Sequence, residues 1–395
     1  MPAAEPPLPH ADMRSRAKAL IPVFRDRADQ ADKNRRLPDE TFADLRAAGF
    51  ARLLQPAAFG GFEMGFPALV DVLSTIGRGC SATGWVLGQY CIHAYMTGFF
   101  PPEGQHEVWD DDPEAFLVGV LAFPAGRATR VDGGFRLSGR WSFASGIDGA
   151  TWCIFGANLH EQDQPPKPWL FHLPLSEVTQ DDTWYTSGLR ATGSRDVIVD
   201  DIFVPSCRAL DVEQTKNADA PGLALNSAPV FRTPMFGCFG FVQGSATLGG
   251  AMAASEIFTG QMRERVATSS GARIAGFMTL HSKVAEAEAA INAAATILKT
   301  DAARIMAIAE AGEISDMATR LALRRNAAYA AKLSVGAVDD IMSAAGGAAL
   351  FDTNPLSRTF RDAHACLAHI TMNWEANAVP AGRQSLGLDP EATLL

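Results

Sequence analysis

Apolar and polar positions repeat with a helical period at both ends of the chain and with a shorter, alternating period in the middle. The stretch DETFADLRAAGF, residues 39–50, has apolar residues at helical spacing and closes near Gly49, which predicts a short helix. Residues 66–100 are largely apolar around the segment Gly77–Gly84, which predicts two helices. The region from about residue 12 to residue 110 is therefore predicted to be helical.

Between about residues 115 and 210 the apolar runs become short and are separated by Gly, Pro and Asp. VDGGFRLSG, residues 131–139, carries a turn signal between two apolar alternations, which predicts a hairpin. In RWSFASGIDGATW, residues 140–152, strand alternation would place Trp141, Phe143 and Ser145 on one face. These patterns together predict a middle β domain.

After an aperiodic stretch at 211–235, which is predicted to be a loop, the chain is rich in alanine and helical in pattern to about residue 378. The apolar residues 236–254 include a glutamine and five glycines, which favours a closely packed buried helix over a membrane span. A later helix is expected to stop at Gly346–Gly347, and residues 356–378 to form another. The predicted domains are residues 1–114, 115–212 and 213–395, and the predicted fold class is α+β.

Composition and charge narrow the possible functions. The chain has 395 residues, more than one hydrophobic core usually supports. Its net charge of −10 argues against nucleic-acid binding. The six cysteines lack C-x-x-C spacing and the eight histidines lack an H-E-x-x-H pattern, so neither a metal site nor a disulfide framework is predicted. With no signal peptide in the N-terminal sequence, a cytoplasmic location is expected.

Five stretches together resemble one family: CSATGWVLG (80–88), VWDDDP (108–113), GRWSFASGIDGATW (139–152), GLRATGSRDVIVDDIFVP (188–205) and FRDAHACLAH (360–369). They are similar to the acyl-CoA dehydrogenase superfamily, and more closely to its two-component flavin-dependent aromatic monooxygenases of the 4-hydroxyphenylacetate hydroxylase kind. The resemblance implies an N-terminal helical domain, a middle β-barrel or sandwich domain and a C-terminal four-helix bundle. It also implies that a flavin lies between the β domain and the bundle.

The resemblance assigns flavin contacts to Trp141, Phe143, Ser145, Arg190, Thr192, Ser194, Arg265 and Arg273. Ser145 would lie near the N5 edge of the isoalloxazine, and Arg265 or Arg273 would suit a flavin phosphate. Each of these residues could also have a purely structural role. The aromatic residues would equally suit a core between domains, the hydroxyls a turn, and the arginines an exposed surface.

The resemblance places two histidines and Ser145 at the reaction. His93 shares a helix face with Trp85 and Gln89, and it would accept or orient a phenol proton near neutral pH, although it would also suit a core position. His369 is preferred over His364, which is expected to point elsewhere and bond between helices. The chain departs from the family in two ways. It lacks the serine that several phenol-hydroxylating relatives have near Gly119. It also lacks a convincing match to the catalytic glutamate of acyl-CoA dehydrogenases, since Glu375 follows the RD motif too closely.

The implied activity is that of an oxygenase component. Reduced FMN or FAD would react with O2 through a C4a-hydroperoxide and hydroxylate an aromatic, phenolic substrate. Because no G-x-G-x-x-G follows a predicted strand, a separate NAD(P)H:flavin reductase is expected to supply the flavin. Oxygenation of an indole, sulfide or amine stays open, as do acyl-CoA dehydrogenation and a silent flavin-binding role. The family also implies a homotetramer.

Overall fold

The computed structural model describes residues 10–266, 271–392 and 394–395. Two sequence predictions fall partly outside these ranges. The absence of a signal peptide concerns residues 1–9, and the arginine-bearing segment 263–274 includes residues 267–270. The N-terminal region is helical, as the apolar period predicts, with elements α1 (His10–Asn34), α2 (Asp39–Ala47), α3 (Phe66–Gly77), α4 (Ser81–Thr97) and α5 (Pro102–Trp109).

The middle region forms one eight-stranded sheet. Its strands are β1 (Leu117–Val120), β2 (Gly126–Val131), β3 (Gly134–Ala144), β4 (Trp152–His160), β5 (Lys167–Pro174), β6 (Thr179–Asp181), β7 (Arg195–Pro205) and β8 (Ala209–Asp211). The order is β6-β7-β3-β2-β4-β5-β8, and β1 pairs in parallel with β4. The predicted hairpin is the turn between β2 and β3, where Gly133 has a φ of +75° that suits glycine.

The C-terminal region is a helical assembly, in agreement with the predicted fold class. Its helices are α6 (Gly240–Glu264), α7 (Met278–Glu310), α8 (Met317–Ala345), α9 (Pro355–Leu367) and α10 (Trp374–Ser385). Helix α8 ends at Gly346, whose φ is +69°, as the sequence predicts. Within the described ranges, none of the helices combines the length and the apolar character that crossing a bilayer requires.

Helix α4 lies in the centre of the molecule, and every one of its residues is buried. Close packing against α3 and α6 is possible because glycines meet at the crossings. A Cβ on Gly84 would lie 3.1 Å from Gly77 Cα, and a Cβ on Gly249 would lie 2.7 Å from the same atom. The α4 side chains therefore have fixed surroundings, which positions the polar ones among them.

Two local predictions are wrong. Residues 356–378 do not form one helix: α9 ends at Leu367, and α10 begins after Asn373, whose side chain accepts a hydrogen bond from the Ala376 amide. Along β3 the strict alternation also fails, because the pairing with β7 shifts between Trp141 and Ala144. This bulge places two residues opposite one and so reverses the side-chain direction.

Candidate active site

One face of α4 carries three side chains at successive turns, Trp85, Gln89 and His93, which we call the α4 face. Residues four apart lie over one another on a helix, so the α4 face runs for ~12 Å along the helix axis. Its first member contacts the β domain and the α9–α10 connection, and its last member lies against β1. The α4 face thus joins the regions that the sequence predicts to form the site.

Hydroxyl groups form a chain at the Trp85 end of the α4 face. Ser145 Oγ lies 2.7 Å from Ser194 Oγ, which lies 2.6 Å from Thr192 Oγ1. Thr192 donates to the Leu189 carbonyl at 2.8 Å, and the Trp85 indole N–H donates to Ser145 Oγ at 3.3 Å. The structure therefore brings together three of the predicted flavin-contact residues.

The direction of every proton in this chain follows from its ends. Because the Thr192 proton goes to a carbonyl, the Ser194 hydroxyl must donate to Thr192, and Ser145 must donate to Ser194. Ser145 Oγ also accepts from the Trp85 indole. The Ser145 hydroxyl then has one lone pair left to accept a hydrogen bond, so a ligand at this oxygen has to be a hydrogen-bond donor.

The segment that carries these hydroxyls is fixed to α9. Asp362 Oδ1 accepts a hydrogen bond from the Leu189 amide at 2.7 Å, and a Cβ on Gly188 would lie 2.1 Å from the Arg361 carbonyl oxygen. Burial raises the pKa of Asp362 to about 6. The β domain and the C-terminal helices are therefore in direct contact beside the hydroxyl chain.

Phe143 is the residue that the β3 bulge turns outward. Its φ is +76°, which is unusual for an aromatic residue, and its side chain is 68% exposed. The ring meets Trp184 edge to face, with 6.0 Å between centroids. The exposed Phe143 ring is held by a strained backbone next to Ser145 and packs against the half-buried Trp184, which gives this end of the site a flat apolar surface.

Trp141 and Arg190 lie apart from that surface. Trp141 is fully buried in the sheet, where its indole N–H donates to the Gly156 carbonyl at 2.8 Å, so it has no surface to offer a ligand. This is a core position, which the sequence left open as the alternative to a flavin contact for Trp141. Arg190 turns towards α1 and donates to the Asp32 carbonyl at 3.2 Å.

The two other predicted arginines, Arg265 and Arg273, lie in the segment that follows α6, where Arg273 forms an isolated β-bridge with Val266. Arg265 donates to the Ala345 carbonyl, which is one of the last carbonyls of α8. Arg273 is exposed on the other side of the undescribed residues 267–270. Neither arginine has a described contact with the hydroxyl chain, and their assignment to a flavin phosphate stays a prediction.

His93 lies at the far end of the α4 face with only 1% of its surface exposed. Its Nδ1 is 2.8 Å from the Gln89 carbonyl, so Nδ1 carries the proton of the neutral ring and Nε2 is an acceptor. Nε2 is buried and has no partner among the described residues. Burial lowers the pKa of His93 to about 4, which is below the near-neutral value expected from the sequence.

Gly119 accounts for the position of the His93 ring. A Cβ on this glycine of β1 would lie 2.3 Å from His93 Nε2, far closer than any real contact. The absence of a side chain at residue 119, which is a departure from the family at the sequence level, therefore makes room for the imidazole. Phe239 also lies beside the imidazole, with its ring centroid 6.4 Å from that of His93.

His369 lies in the α9–α10 connection and faces Trp85 edge to face at 5.5 Å. Its Nδ1 accepts from the Thr371 amide at 3.2 Å and lies 2.7 Å from Thr371 Oγ1, so Nε2 carries the proton of the neutral ring. Burial lowers the pKa of His369 to about 4. His364 is elsewhere, paired with Asp339 of α8 at 2.8 Å, as its predicted interhelical role requires.

Sequence reasoning missed two features near His93. His172 of β5 is fully buried, stacks on Phe100 with centroids 3.9 Å apart, and lies 3.0 Å from Thr97 Oγ1. An aromatic wall also leads to His93 through successive contacts of Phe123, Phe236 and Phe239. The signal for His172 was a lone histidine within an apolar strand, whereas the wall joins residues from two loops and has no sequence period.

These residues fit a reduced flavin. Ser145 requires a donor, and N5 of a reduced isoalloxazine carries a hydrogen, whereas N5 of the oxidised ring is an acceptor. Phe143 and Trp184 offer apolar surface to a flat ring. Glu375, the carboxylate weighed as a dehydrogenase base, is exposed at the start of α10.

Acyl-CoA dehydrogenase family models match two regions of the chain. Residues 11–107 match the family model "Acyl-CoA dehydrogenase, N-terminal domain", and residues 241–374 match "Acyl-CoA dehydrogenase, C-terminal domain". The chain is 35% identical over 394 residues to the oxygenase component of an FADH(2)-dependent resorcinol hydroxylase from Rhizobium sp. (strain MTP-10005), covering 97% of this chain and 96% of the relative.

Two solved structures extend the likeness to the whole fold. The HsaA monooxygenase of M. tuberculosis superposes with a TM-score of 0.93 at 31% identity, covering 98% of this chain and 100% of that one. XiaF from Streptomyces sp., in complex with FADH2 and glycerol, superposes with a TM-score of 0.90 at 30% identity, covering 97% of each chain. The chain therefore belongs to the acyl-CoA dehydrogenase superfamily and, within it, to the oxygenase components of two-component flavin-dependent monooxygenases.

Proposed function

We propose that this chain uses reduced flavin and O2 to hydroxylate a phenolic substrate, with the phenol oxygen held at His93. The observation that carries the proposal is the buried, unpartnered Nε2 of His93 beside an aromatic wall. A buried acceptor without a partner costs ~1–3 kcal/mol, and a phenol O–H would satisfy it. The aromatic wall suits the ring of the same substrate.

His93 is neutral before substrate binds, so it first accepts a hydrogen bond from the phenol. If the proton moves to Nε2, the resulting imidazolium lies next to the phenolate, and the attraction of opposite charges raises the pKa that burial had lowered. The Nδ1–H bond to the Gln89 carbonyl favours the charged ring as well. Removing the phenol proton makes the ortho carbon more electron-rich.

At the other end of the α4 face, Ser145 and His369 serve the flavin and oxygen side of the reaction. When bound, reduced FAD or FMN supplies O2 activation and the transfer of one oxygen atom. Ser145 accepts a hydrogen bond and so favours the reduced ring, and His369 can donate its Nε2 proton beside Trp85. The buried α4 keeps bulk water away from this chemistry.

The proposal includes a separate NAD(P)H:flavin reductase as partner, because oxygenase components in two-component systems receive reduced flavin from another protein. It also includes a homotetramer. Large apolar side chains of the C-terminal region remain more than half exposed in one chain, as a subunit interface would require: Leu350, Phe351, Ile370, Val379 and Leu386. The six unpaired cysteines suit the reducing cytoplasm that the sequence suggested.

The test is turnover with a flavin reductase, NADH and either FAD or FMN, followed by quantification of hydroxylated product and hydrogen peroxide. Phenols should give product with little peroxide, whereas indole, a thioether and an amine should give less product per flavin. His93→Ala should lower the product-to-peroxide ratio for phenols without weakening flavin binding. Equal product from phenol in the wild type and in His93→Ala would remove His93 from the proposal.

A further inference from the structure

A small cavity lies between α8, α10 and the C-terminal residues, and none of the three residues of the α4 face lines it. Its volume is about 160 Å³. A protein cavity of ~150 Å³ can hold a benzene molecule, so this one has room for a single ring or a branched aliphatic group. Most of its wall is apolar and is formed by Leu321, Ala376, Pro380, Ala392, Leu394 and Leu395.

Arg324 of α8 brings a positive charge to the wall of this cavity. Its Nε donates to Asn377 Oδ1 at 3.0 Å, whereas Nη1 and Nη2 have no hydrogen-bond or ion-pair partner among the residues that the structure describes. Burial lowers the pKa of Arg324, and no neighbouring carboxylate opposes that shift. Because a guanidinium stays charged in proteins, this half-buried group lacks a counter-ion that a bound anion could supply.

Two other polar side chains line the cavity, and both are already paired. The carboxylate of Glu391 lies 2.5 Å from Arg383 Nη2. Asn377 uses both N–H groups of its amide as donors to backbone carbonyls. An anion in the cavity would therefore be bound by Arg324 and the apolar wall alone. This disfavours phosphate, because its further oxygens would find no donors.

We propose that this cavity binds a small organic carboxylate, which the two Nη atoms of Arg324 hold end-on while its ring or branched chain packs against the apolar wall. A guanidinium and a carboxylate can form two parallel hydrogen bonds, which fix the orientation of the ligand as well as its affinity. The ligand class is a monocarboxylate of about the size of benzoate. Binding needs neither flavin nor O2, so it is independent of the proposed hydroxylation.

Asn377 links this cavity to the connection between α9 and α10. Its Nδ2 donates to the carbonyl of Ile370 at 2.9 Å and to that of Asn373 at 2.7 Å, and both residues belong to the connection that carries His369. Because Arg324 Nε holds the other end of the same amide, an anion that fixes the guanidinium also fixes the amide. Binding should therefore stabilise the connection.

The test is calorimetric titration of benzoate into the chain, with benzamide as a neutral analogue of the same shape and inorganic phosphate as a second anion. The wild type should bind one benzoate per chain with a Kd below ~1 mM, and should bind benzamide and phosphate at least ~10-fold more weakly. Arg324→Met removes the guanidinium and should weaken benzoate binding by ~10-fold or more. Arg325→Met is the matched control, because Arg325 is the next residue of α8 and bonds to Asn326; it should leave the Kd for benzoate unchanged.

Two further measurements locate the ligand. Ala376→Leu keeps Arg324 but fills part of the cavity, so it should also weaken benzoate binding, and it guards against a folding defect in Arg324→Met. Hydrogen exchange followed by mass spectrometry should be slower across residues 368–377 when the wild type is saturated with benzoate, because the ligand stabilises the state that binds it. Arg324→Met should show no such change.

The proposal is overturned if benzoate does not bind, if benzamide binds as tightly, or if neither Arg324→Met nor Ala376→Leu weakens binding. Phosphate that binds as tightly as benzoate would contradict the organic ligand class. Displacement of benzoate by phenol would assign benzoate to the active site instead. Unchanged hydrogen exchange in the connection would contradict the link through Asn377.

Discussion

Replacing Gly119 with alanine is predicted to disable the site through His93 while leaving the backbone unstrained. Gly119 is not among the residues with positive φ, so alanine can adopt its conformation. The added Cβ would lie 2.3 Å from His93 Nε2 and 2.4 Å from Cδ2. The perturbation is therefore confined to the contact between β1 and the imidazole.

The size of the effect follows from how far the ring must move. Ordinary van der Waals contact begins at 3.4 Å, so His93 has to retreat by about 1 Å. Its movement is limited by the bond from Nδ1 to the Gln89 carbonyl and by the neighbouring Phe239 ring. Misplacing a reacting group by ~1 Å costs ~10²-fold in rate, and overpacking a core costs ~1–3 kcal/mol of unfolding free energy.

The assay is hydroxylated product formed per reduced flavin consumed, with peroxide measured in parallel. Gly119→Ala should lose ~10²-fold in product formation and convert most flavin equivalents to peroxide. Gly260→Ala is the control, because a Cβ there meets nothing within 4 Å; it should keep full activity and gain ~0.5–1 kcal/mol of stability.

A double-mutant cycle then tests the route of the effect. In a His93→Ala background the Gly119→Ala substitution should change product formation no further, because the clashing ring has gone. Wild-type product formation by Gly119→Ala would refute the reasoning. An undiminished ~10²-fold loss in the His93→Ala background would refute it as well.

Three other predictions concern protonation, cofactor preference and stability. Because burial lowers the pKa of His93 to about 4 from 6.5, the unfolded chain takes up that proton first as the pH falls. The free energy of unfolding, measured in urea, should therefore fall between pH 6.5 and pH 4, by up to ~3 kcal/mol for this group. His93→Phe should reduce the fall by that amount, and the part due to the buried His369 should remain. Ser194→Ala removes the acceptor of the Ser145 hydroxyl, whose proton can then point at a ligand. The ratio of the Kd values for oxidised and reduced flavin should therefore shrink by ~5-fold or more. An unchanged ratio would contradict the order of donors and acceptors in the hydroxyl chain. Trp141→Ala should lower the free energy of unfolding, measured in urea, by ~3–5 kcal/mol, because it removes a buried ring and its bond to Gly156 O. If Trp141 were instead a flavin contact, the substitution would weaken flavin binding and leave the stability unchanged.

The sequence was sufficient for most of the helices, the hairpin and the family because those depend on local period and on motifs that stay together along the chain. Gly133 and Gly346 each mark a turn that requires positive φ, so their positions were readable. The sequence named Ser145, Thr192 and Ser194 as flavin contacts, which stays a prediction. It did not predict the hydrogen bonds between them, which form because the fold brings two of the quoted motifs side by side.

The remaining features depend on contacts that sequence spacing does not encode. The bulge that separates Phe143 from Trp141 arises from the pairing of β3 with β7, and alternation alone predicted the opposite. His172 reaches Thr97 because the fold brings β5 next to the C-terminal end of α4. The low pKa of His93 reflects burial on all sides, which no local pattern reports.

The most direct test of the central claim is a single turnover with isotopically labelled dioxygen. The chain is loaded anaerobically with reduced FAD or FMN and resorcinol, mixed with buffer saturated with 18O2, and the products are analysed by mass spectrometry together with peroxide. The account predicts a ring-hydroxylated product that carries one 18O atom, formed in place of peroxide. Flavin oxidation with stoichiometric labelled peroxide and no hydroxylated product, from resorcinol and phenol alike, would contradict it.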